Sequence, residues 1–387
     1  MLSTVKTLSV CGTAAKGAPM YKYNYRIYYT GPEKFHKDGL AQLKAMKAEA
    51  ERWGFTFVND LTYLENGYKD YEHIDRTFLD DVDIVIGNVN GFRGGEPDAT
   101  VCFDLGVGFA KGKKLYTFLT DRRDYVHRAP QYFHFVDDKV LDINGHGPGE
   151  AYTLGNLMYM IPSKLVEGGF SKALEVLRYD LEDDAKNRGQ RVTPKQDGRA
   201  VCTWAVEEGK YRAYLAGFEC FMLDAREVGD KMKETCLQYN FEGIFPPDDA
   251  PGCNPPSAED FKDVFARSAY FFDRDQQHIR NSNMVLANLN PYHGAEPDSG
   301  TVFEAGMSFG LGYPCYYFMS DSRPLIERID CRKDADGVYR DVEGFLVEDF
   351  GFPLTSRLSA NMTGIFHEYP DAPKYAAMDL GIYSEEK

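Results

Sequence analysis

Two rhythms of apolar and polar residues alternate along the chain, one typical of buried strands and one typical of amphipathic helices. Short apolar and aromatic runs stand at 25–30, 82–89 and 114–121, and apolar residues at helical spacing occupy 39–55. Strands that alternate with helices in this way predict a parallel sheet covered by helices on both faces.

The second half of the chain repeats this order. Strand-like runs stand at 211–216, 283–289 and 315–321, and apolar residues at helical spacing occupy 225–241. The repeat therefore predicts an α/β protein with two similar doubly wound domains.

The predicted domain boundaries follow from a polar stretch between the two halves. We place the first domain at 21–186 and the second at 200–387, and we interpret "NRGQRVTPKQDGR" at 187–199 as the linker.

One phrase marks the repeat most clearly. Residues 90–110 read "NGFRGGEPDATVCFDLGVGFA", and residues 290–310 read "NPYHGAEPDSGTVFEAGMSFG", so that Asp104 stands where the second copy has Glu304. The phrases are 200 positions apart, whereas the opening strands are 186 apart. The second half thus holds about fourteen additional residues, which we place in the Pro- and Asp-rich stretch 246–260.

Two features in and just after the repeated phrase could be taken as phosphate-binding sites, but we favour a structural role for each. The glycines of "GVGFAKG" at 106–112 do not have the GxGxxG spacing of a phosphate-binding loop, and we expect them to let a helix pack close to the sheet. Arg93 and His293 occupy the same position in the two copies, where a surface role in the turn is favoured over phosphate recognition.

Composition and charge narrow the class of protein. The chain has 387 residues, of which 43% are hydrophobic, and a net charge of −16. We therefore expect a core large enough for two domains and no nucleic acid partner, because phosphate contacts need clustered Lys and Arg.

The sequence shows neither an apolar run long enough for a membrane helix nor the apolar core of a secretory signal, so no membrane partner is expected. The eight cysteines lack CxxC spacing, which predicts free thiols in a reducing compartment, a cytoplasmic protein and no metal site. An organelle-targeting segment stays an alternative, because no acidic residue precedes Glu33.

Three carboxylates are expected to meet at the carboxyl edge of the second sheet. Ser299 is a candidate N-cap, Glu304 falls in the first turns of the helix that follows, and the positive end of that helix favours its ionised form. Asp298 lies just before the helix, and Asp275 projects from the helix before the strand. One ionised carboxylate and one acid suit glycosyl transfer. The alternative is that Asp298 only caps the helix and that Glu304 and Asp275 face water.

Several motifs in each half resemble those of the nucleoside 2-deoxyribosyltransferase family. The second half carries "YLAGFECF", "ANLNPYHGAEPDSGTVFEAGMSFGLG", "SDSR" and "GFPL", and the first carries "YYTGPEKF", "FRGGEPDATVCFDLGVGFAKGK", "TDRR" and "GNLMYM". The resemblance implies two flavodoxin-like domains and a retaining exchange of a 2-deoxyribosyl group between nucleobases, without a cofactor. Phe218 departs from the family, whose turn has a proline there.

The resemblance also implies roles for single residues. Glu304 matches the nucleophile, Asp298 an aspartate of the sugar site, Asp275 the residue for proton transfer at the base, and Tyr214 a tyrosine near the nucleophile. The expected substrate-binding residues are Asn156, Gly217, Asp248 and Glu296, and the matching residues of the first half are Asp104, Asp98, Asp75 and Tyr28.

The two halves differ in a complementary way. Family members complete each site with an asparagine from a neighbouring subunit, and here Asn156 survives only in the first half, with Thr355 or Ser356 at the equivalent place in the second. If the halves form an internal pseudodimer, Glu304 pairs with Asn156 in a competent site, and the shorter Asp104 lies in a degenerate one. The alternative is that Asp104 still works as a nucleophile.

Three functions follow, in order of preference. The first is a transferase of nucleotide salvage that forms a covalent deoxyribosyl-Glu304 intermediate. The second is an N-glycoside hydrolase of nucleosides or their 5'-monophosphates, and the third is a nucleotide-binding module without catalysis, indicated by the decay of the first half.

Overall fold

Two five-stranded parallel sheets, one in each half of the chain, organise the protein. The computed structural model describes residues 25–59, 65, 77–137, 139–147, 153–183, 206–250, 253–254 and 257–384. The predicted linker at 187–199 and Asp75 lie outside these ranges. Within them, no helix is both long and apolar enough to cross a membrane.

The first half has seven strands and five α-helices in its described part. The strands are β1 (Arg26–Thr30), β2 (Thr56–Val58), β3 (Ile84–Asn88), β4 (Lys114–Leu119), β5 (Phe133–Val136), β6 (Lys139–Asp142) and β7 (Ser163–Glu167). The helices are α1 (Gly39–Arg52), α2 (Ala99–Ala110), α3 (Tyr125–Arg128), α4 (Leu157–Met160) and α5 (Phe170–Asp183). The sheet order is β2-β1-β3-β4-β7, and β5 and β6 form a separate antiparallel hairpin.

The second half repeats this arrangement. The strands are β8 (Arg212–Ala216), β9 (Glu242–Ile244), β10 (Met284–Asn288), β11 (Cys315–Phe318), β12 (Cys331–Lys333), β13 (Tyr339–Asp341) and β14 (Gly364–Phe366). The helices are α6 (Ala225–Gln238), α7 (Val264–Arg280), α8 (Ser299–Gly310), α9 (Leu325–Arg328), α10 (Ser356–Asn361) and α11 (Asp371–Asp379). The sheet order is β9-β8-β10-β11-β14, with β12 and β13 as the hairpin.

The strand order of both sheets is that of flavodoxin, which confirms the predicted fold. Every residue of β3 and β10 is buried, because helices cover both faces of each sheet. The aromatic residues Tyr316, Tyr317 and Phe318 of β11 lie in the core.

Two equivalent helices, α2 and α8, form the centre of the contact between the halves. A methyl group on Gly106 would overlap the carbonyl oxygen of Phe303, and one on Gly306 would overlap that of Phe103. These glycines therefore let the two backbones touch, whereas packing against the sheet, the expected role, belongs to Gly108, whose added Cβ would lie 3.0 Å from Val85.

The loops before α2 and α8 make a second symmetric contact. Gly95 N donates to the carbonyl oxygen of His293 at 2.7 Å, and Ala295 N donates to that of Arg93 at 3.0 Å. The residues at the centre of both loops are left-handed, with φ of 51° at Arg93 and 50° at His293. The two halves thus form an internal pseudodimer about an approximate twofold axis.

Candidate active site

A cavity of about 340 Å³ opens at the carboxyl edge of the second sheet. Both halves contribute to its wall, because α4 and the residues just before it come from the first half, and α7 and α8 come from the second. The lining residues are Thr153, Asn156, Leu157 and Met158 from the first half, and Gly217, Cys220, Phe221, Pro246, Pro247, Arg267, Ser268, Phe271, Arg274, Asp275, Asp298, Gly300, Thr301 and Glu304 from the second.

Glu304 reaches this cavity from the second turn of α8. Its side chain is not solvated, since the residue is only 6% exposed. The hydroxyl of Tyr214, at the centre of β8, donates a hydrogen bond to Glu304 Oε1 at 2.6 Å. Tyr214 is fully buried. One oxygen of the carboxyl group is therefore fixed in place.

Asp298 both caps α8 and lines the cavity. It accepts hydrogen bonds from Thr301 N at 2.7 Å and Thr301 Oγ1 at 2.6 Å. Asp298 is the N-cap, and the prediction of Ser299 as N-cap is wrong, because Ser299 already has helical conformation. The cap uses one oxygen of Asp298, while the other, Oδ1, lies 3.4 Å from Asn156 Nδ2 of the first half, and the role of Asp298 in the sugar site stays a prediction.

Asn156 joins the two halves at this point. As N-cap of α4 it accepts a hydrogen bond from Met158 N at 2.9 Å, and its Nδ2 lies 3.4 Å from Asp298 Oδ1. A methyl group on Gly300 would overlap the carboxamide of Asn156. The small residue at the start of α8 therefore makes room for the side chain from the other half.

Asp275 approaches the cavity from α7. The residue is buried, so the alternative that it faces water is wrong, and its Oδ1 accepts a hydrogen bond from Arg274 Nε at 3.0 Å. Gly217, the residue directly after β8, also lines the cavity, and a Cβ added to it would overlap the carboxylate of Glu219.

The three carboxyl groups hold protons more tightly than acids in water. Burial raises the pKa of Asp275 to about 6 against the opposing effect of Arg274. Burial and the nearby Glu96 raise the pKa of Asp298 to about 6. Burial and the Asp275 carboxylate raise the pKa of Glu304 well above its usual value. A site with these acids can donate a proton from one carboxyl group and attack with another.

The expectation that α8 keeps Glu304 ionised is wrong. The effect of a helix N-terminus falls off within the first turn, and Glu304 lies in the second. Burial and the neighbouring acids dominate instead. Glu304 therefore ionises more readily when the neighbouring Asp275 and Asp298 carry protons.

Two predicted substrate-binding residues, Asp248 and Glu296, are not among the residues that line the cavity. Asp248 accepts hydrogen bonds from Phe245 N at 2.9 Å and Lys233 Nζ at 2.8 Å, so it closes the turn after β9. Glu296 accepts a hydrogen bond from Ala99 N at 3.1 Å and caps α2 of the other half. Neither residue is among those that line the cavity, so their substrate-binding roles stay predictions without support from this geometry.

Sequence reasoning missed two arginines that line the cavity. Arg267 and Arg274 stand seven positions apart on α7, with Phe271 between them, so all three share one helix face. The sequence does hold a signal for them, because they share a helix with Asp275, which the sequence places at the site. The Arg274 guanidinium also stacks 4.9 Å from the ring of Phe271.

The equivalent place in the first half is occupied by a side chain of the second. Asp104 accepts hydrogen bonds from Tyr28 at 3.0 Å and Thr30 at 2.8 Å. Arg357 donates to the Tyr28 hydroxyl at 2.8 Å, and its Nε lies 3.5 Å from Asp104 Oδ1. A cation thus neutralises the acid that corresponds to Glu304.

The capping positions fix the correspondence between the halves. Thr355 is the N-cap of α10 as Asn156 is of α4, so Thr355 and not Ser356 takes the place of the asparagine. Its Oγ1 accepts a hydrogen bond from Thr100 Oγ1 at 3.2 Å. Asp98 caps α2 by accepting from Thr100 N at 2.9 Å, as Asp298 caps α8.

Arg93 and His293 are not surface residues of a turn. Their side chains are 5% and 1% exposed, and each forms ion pairs between the halves. The surface interpretation is wrong because the two loops pack against each other across the pseudodimer.

Comparisons with known proteins place both halves in one family. The family model described as nucleoside 2-deoxyribosyltransferase matches residues 27–175 and 213–356. An uncharacterized protein of Schizosaccharomyces pombe, C191.05c, is 26% identical over an alignment of 190 residues, and the match covers 43% of this chain and 87% of that protein.

Two solved structures are similar to less than half of the chain. A 2-desoxiribosyltransferase from Leishmania mexicana has 24% identity and a TM-score of 0.33, and the match covers 43% of this chain and 97% of that one. A 2-deoxyribosyltransferase from Bacillus psychrosaccharolyticus has 18% identity and a TM-score of 0.26, with 44% and 95% covered.

Proposed function

Because the chain belongs to the nucleoside 2-deoxyribosyltransferase family, we propose that it exchanges nucleobases on 2'-deoxynucleosides, as a reaction of nucleotide salvage. The observation that carries this proposal is the presence of Asp275, Asp298 and Glu304 in one cavity, with Tyr214 hydrogen-bonded to Glu304. Paired carboxyl groups of this kind are the usual means of retaining glycosyl transfer.

In the first displacement, ionised Glu304 attacks C1' of the deoxyribose with the oxygen that Tyr214 does not hold. The bond from C1' to the base nitrogen breaks, its electron pair leaves with the base, and protonated Asp275 donates a proton to the base. The reactive form is the one in which Asp275 holds the proton, as its raised pKa of about 6 allows, because a neutral Asp275 no longer opposes the ionisation of Glu304.

In the second displacement, a nitrogen of the incoming base attacks C1' and breaks the ester to Glu304. The Asp275 carboxylate accepts the proton that this nitrogen loses, so the enzyme returns to its starting protonation state. Two inversions at C1' give overall retention. Tyr214 stabilises the Glu304 carboxylate that is released.

Asn156 makes the site depend on both halves. Its Nδ2 lies 3.4 Å from Asp298 Oδ1, so the two polar groups face the cavity together and suit the hydroxyl groups of a sugar. We propose Asp298 and Asn156 as the sugar-binding pair, with the domains at 21–186 and 200–387 as the units that supply them.

One working site per chain is the second element of the proposal. Asp104 is shorter than Glu304 by one methylene group and is paired with Arg357. A carboxylate that is withdrawn by about 1 Å and neutralised by a cation is a poor nucleophile. The first half then has no reaction of its own: it packs against the second half and supplies Asn156 to the working site.

The test is an exchange assay with a panel of deoxynucleosides and acceptor bases, followed by chromatography of the products. Formation of a new deoxynucleoside supports transfer. Free 2-deoxyribose alone, with or without acceptor, would replace transfer by hydrolysis, and binding without any product would replace both by a non-catalytic module.

The covalent step has its own test. Protein incubated with a deoxynucleoside and no acceptor is quenched with acid, digested and analysed by mass spectrometry. The peptide with Glu304 should gain the mass of one deoxyribosyl group, and the Glu304→Gln variant should not. A modified peptide from elsewhere in the chain would contradict the assignment of the nucleophile.

A further inference from the structure

His293 lies at the centre of a charged cluster that no step above uses. It is 3% exposed and has the left-handed φ of 50°. Its Nε2 is 3.2 Å from Asp142 Oδ2, and its Nδ1 is 3.1 Å from the Tyr125 hydroxyl and 3.7 Å from Glu96 Oε1. All three partners belong to the first half of the chain.

The hydrogen bonds of the cluster define the protonation state of the ring. The Tyr125 hydroxyl donates to Glu96 Oε1 at 2.7 Å, so at the contact with His293 its oxygen accepts, and Nδ1 must carry a proton. A carboxylate oxygen of Asp142 accepts from Nε2, which must carry a proton as well. Both ring nitrogens are donors only in the imidazolium cation.

Glu96 connects this cation with the candidate active site. Its Oε2 accepts hydrogen bonds from Ser299 Oγ and, at 3.2 Å, from Ser299 N. Ser299 is the first residue of α8, directly after Asp298 and one turn before Glu304. A side chain of the first half therefore holds the start of the helix that carries both acids of the second.

We propose that His293 is a positioning residue of this site: as a cation between Asp142 and Glu96, it holds Glu96 on the N-terminus of α8 and so fixes Asp298 and Glu304. The inference rests on the proposed function, because it concerns the same cavity. His293 is not among the residues that line the cavity, so it would act through Glu96 and α8.

An equivalent charged cluster lies on the other side of the pseudodimer, with Arg93 as its cation in place of His293. Arg93 Nε lies 2.8 Å from Asp341, Arg93 Nη1 lies 3.8 Å from Glu296, and Glu296 accepts from Ala99 N at the start of α2. Arg93 has almost the same φ, 51°. The chain itself thus shows that an arginine fits this backbone and pairs with both acids.

Several charged or titratable groups face His293 and enter any account of its pH dependence. They are Glu96, Asp142, Tyr125, Tyr132 and Tyr292. His146 belongs to the same group, because its Nδ1 lies 3.1 Å from the Asp142 Oδ2 that His293 also contacts, and the charge of His293 lowers the pKa of Asp298. Burial lowers the pKa of His293, but the hydrogen bond with Asp142 and the nearby Glu96 carboxylate outweigh this effect and raise it to about 9.

The experiment compares His293→Gln, which removes the cation, with His293→Arg, which keeps it. We expect His293→Gln to lower kcat/KM for base exchange by between about 10- and 100-fold, since α8 loses its fixed position. The acid limb of the pH profile should move to higher pH, because His293 lowers the pKa of Asp298 and Glu96 raises it. His293→Arg should return the acid limb of the pH profile to its wild-type position, and its kcat/KM should be at least about tenfold higher than that of His293→Gln.

Equal losses in both variants, or a loss in His293→Gln without movement of the acid limb, would overturn the proposal. Thermal unfolding of each variant shows whether it is folded. If His293→Gln does not fold, Glu96→Gln serves instead, and it should lower kcat/KM and abolish the dependence on the cation.

A measurement without turnover separates this inference from the proposed function. In protein labelled at histidine, NMR should show the ring of His293 as the cation at pH 7.5, with titration near pH 9 that Glu96→Gln shifts downward. A neutral His293 ring at pH 7.5 would contradict the positioning role even if base exchange is observed. A cationic ring in a wild-type protein that shows no base exchange would contradict only the proposed function.

Discussion

Glu304 and Asp104 occupy equivalent positions but have opposite surroundings. Glu304 faces a cavity and takes one hydrogen bond from Tyr214. Asp104 is fully buried, takes hydrogen bonds from Tyr28 and Thr30, and pairs with a cation. The difference of one methylene group thus accompanies a difference in role, and isosteric substitutions can separate the two.

We predict that Glu304→Gln lowers the rate of base exchange by at least about 1,000-fold, because an amide cannot form the glycosyl ester. Asp104→Asn, the matched change in the first half, should alter the rate by less than about threefold. The measurement is the initial rate of product formation per folded protein. Similar losses in the two variants would show that both halves are catalytic.

A second prediction concerns Asn156. Asn156→Ala should reduce kcat/KM by about 10- to 100-fold, although the residue lies in the other half, because Asp298 loses its facing amide and the sugar is held less firmly. The control is Asn144→Ala, which changes an asparagine of the same half whose backbone N bonds Asp142. An unchanged rate in Asn156→Ala would contradict the shared site.

At the scale of elements, α10 closes the first half as α4 borders the cavity of the second. Arg357 stands two positions after the N-cap Thr355, as Met158 stands two positions after Asn156. The long cation reaches Asp104 and stacks 4.8 Å from the ring of Phe78, whereas Met158 only lines a wall. The presence of arginine at 357 and of methionine at 158 therefore accounts for the difference: Arg357 fills the place beside Asp104, whereas the cavity beside Glu304 stays open.

We predict that Arg357→Met lowers the free energy of unfolding by about 3–5 kcal/mol, because Asp104 keeps a buried charge without its cation. The double variant with Asp104→Asn should recover much of this loss, since no buried charge remains unpaired. Urea denaturation of the two single variants and the double variant gives the coupling energy. Additive losses would show that the ion pair has no energetic importance.

The sequence predicted the sheets better than the smaller elements. Continuous apolar runs specify β3 and β10, because both faces of these strands are buried. The hairpins β5–β6 and β12–β13 escaped prediction since their strands are short and exposed: Phe135 is 71% exposed, which no apolar periodicity reveals.

For the site, local spacing placed Asp275, Asp298 and Glu304 near one edge of the sheet, and the structure brings them to one cavity. Their catalytic roles stay predictions. The contacts of Arg357 with Asp104 and of His293 with Asp142 join residues far apart in the chain, so they depend on how the halves pack and not on any local pattern.

At the scale of the whole molecule, the approximate twofold axis explains why a cavity of one half needs the other. Helices α2 and α8 touch at Gly106 and Gly306, the loops pair at Gly94 and Gly294, and Glu96 and Glu296 each cap the helix of the opposite half. The pseudodimer is thus held by backbone contacts that tolerate no added side chain, and by charges that cross the axis.

The last prediction tests this dependence with a single methyl group. In Gly306→Ala the new Cβ overlaps the carbonyl oxygen of Phe103, so the helices must separate, and we expect a loss of about 1–3 kcal/mol in the free energy of unfolding. Activity should fall as well, since α8 carries Asp298 and Glu304 while Asn156 stays with the first half. Gly169→Ala is the control, because its Cβ would meet nothing within 4 Å. Urea denaturation and the exchange rate are measured for both; full activity in a destabilised Gly306→Ala would show that the site does not depend on the spacing of the halves.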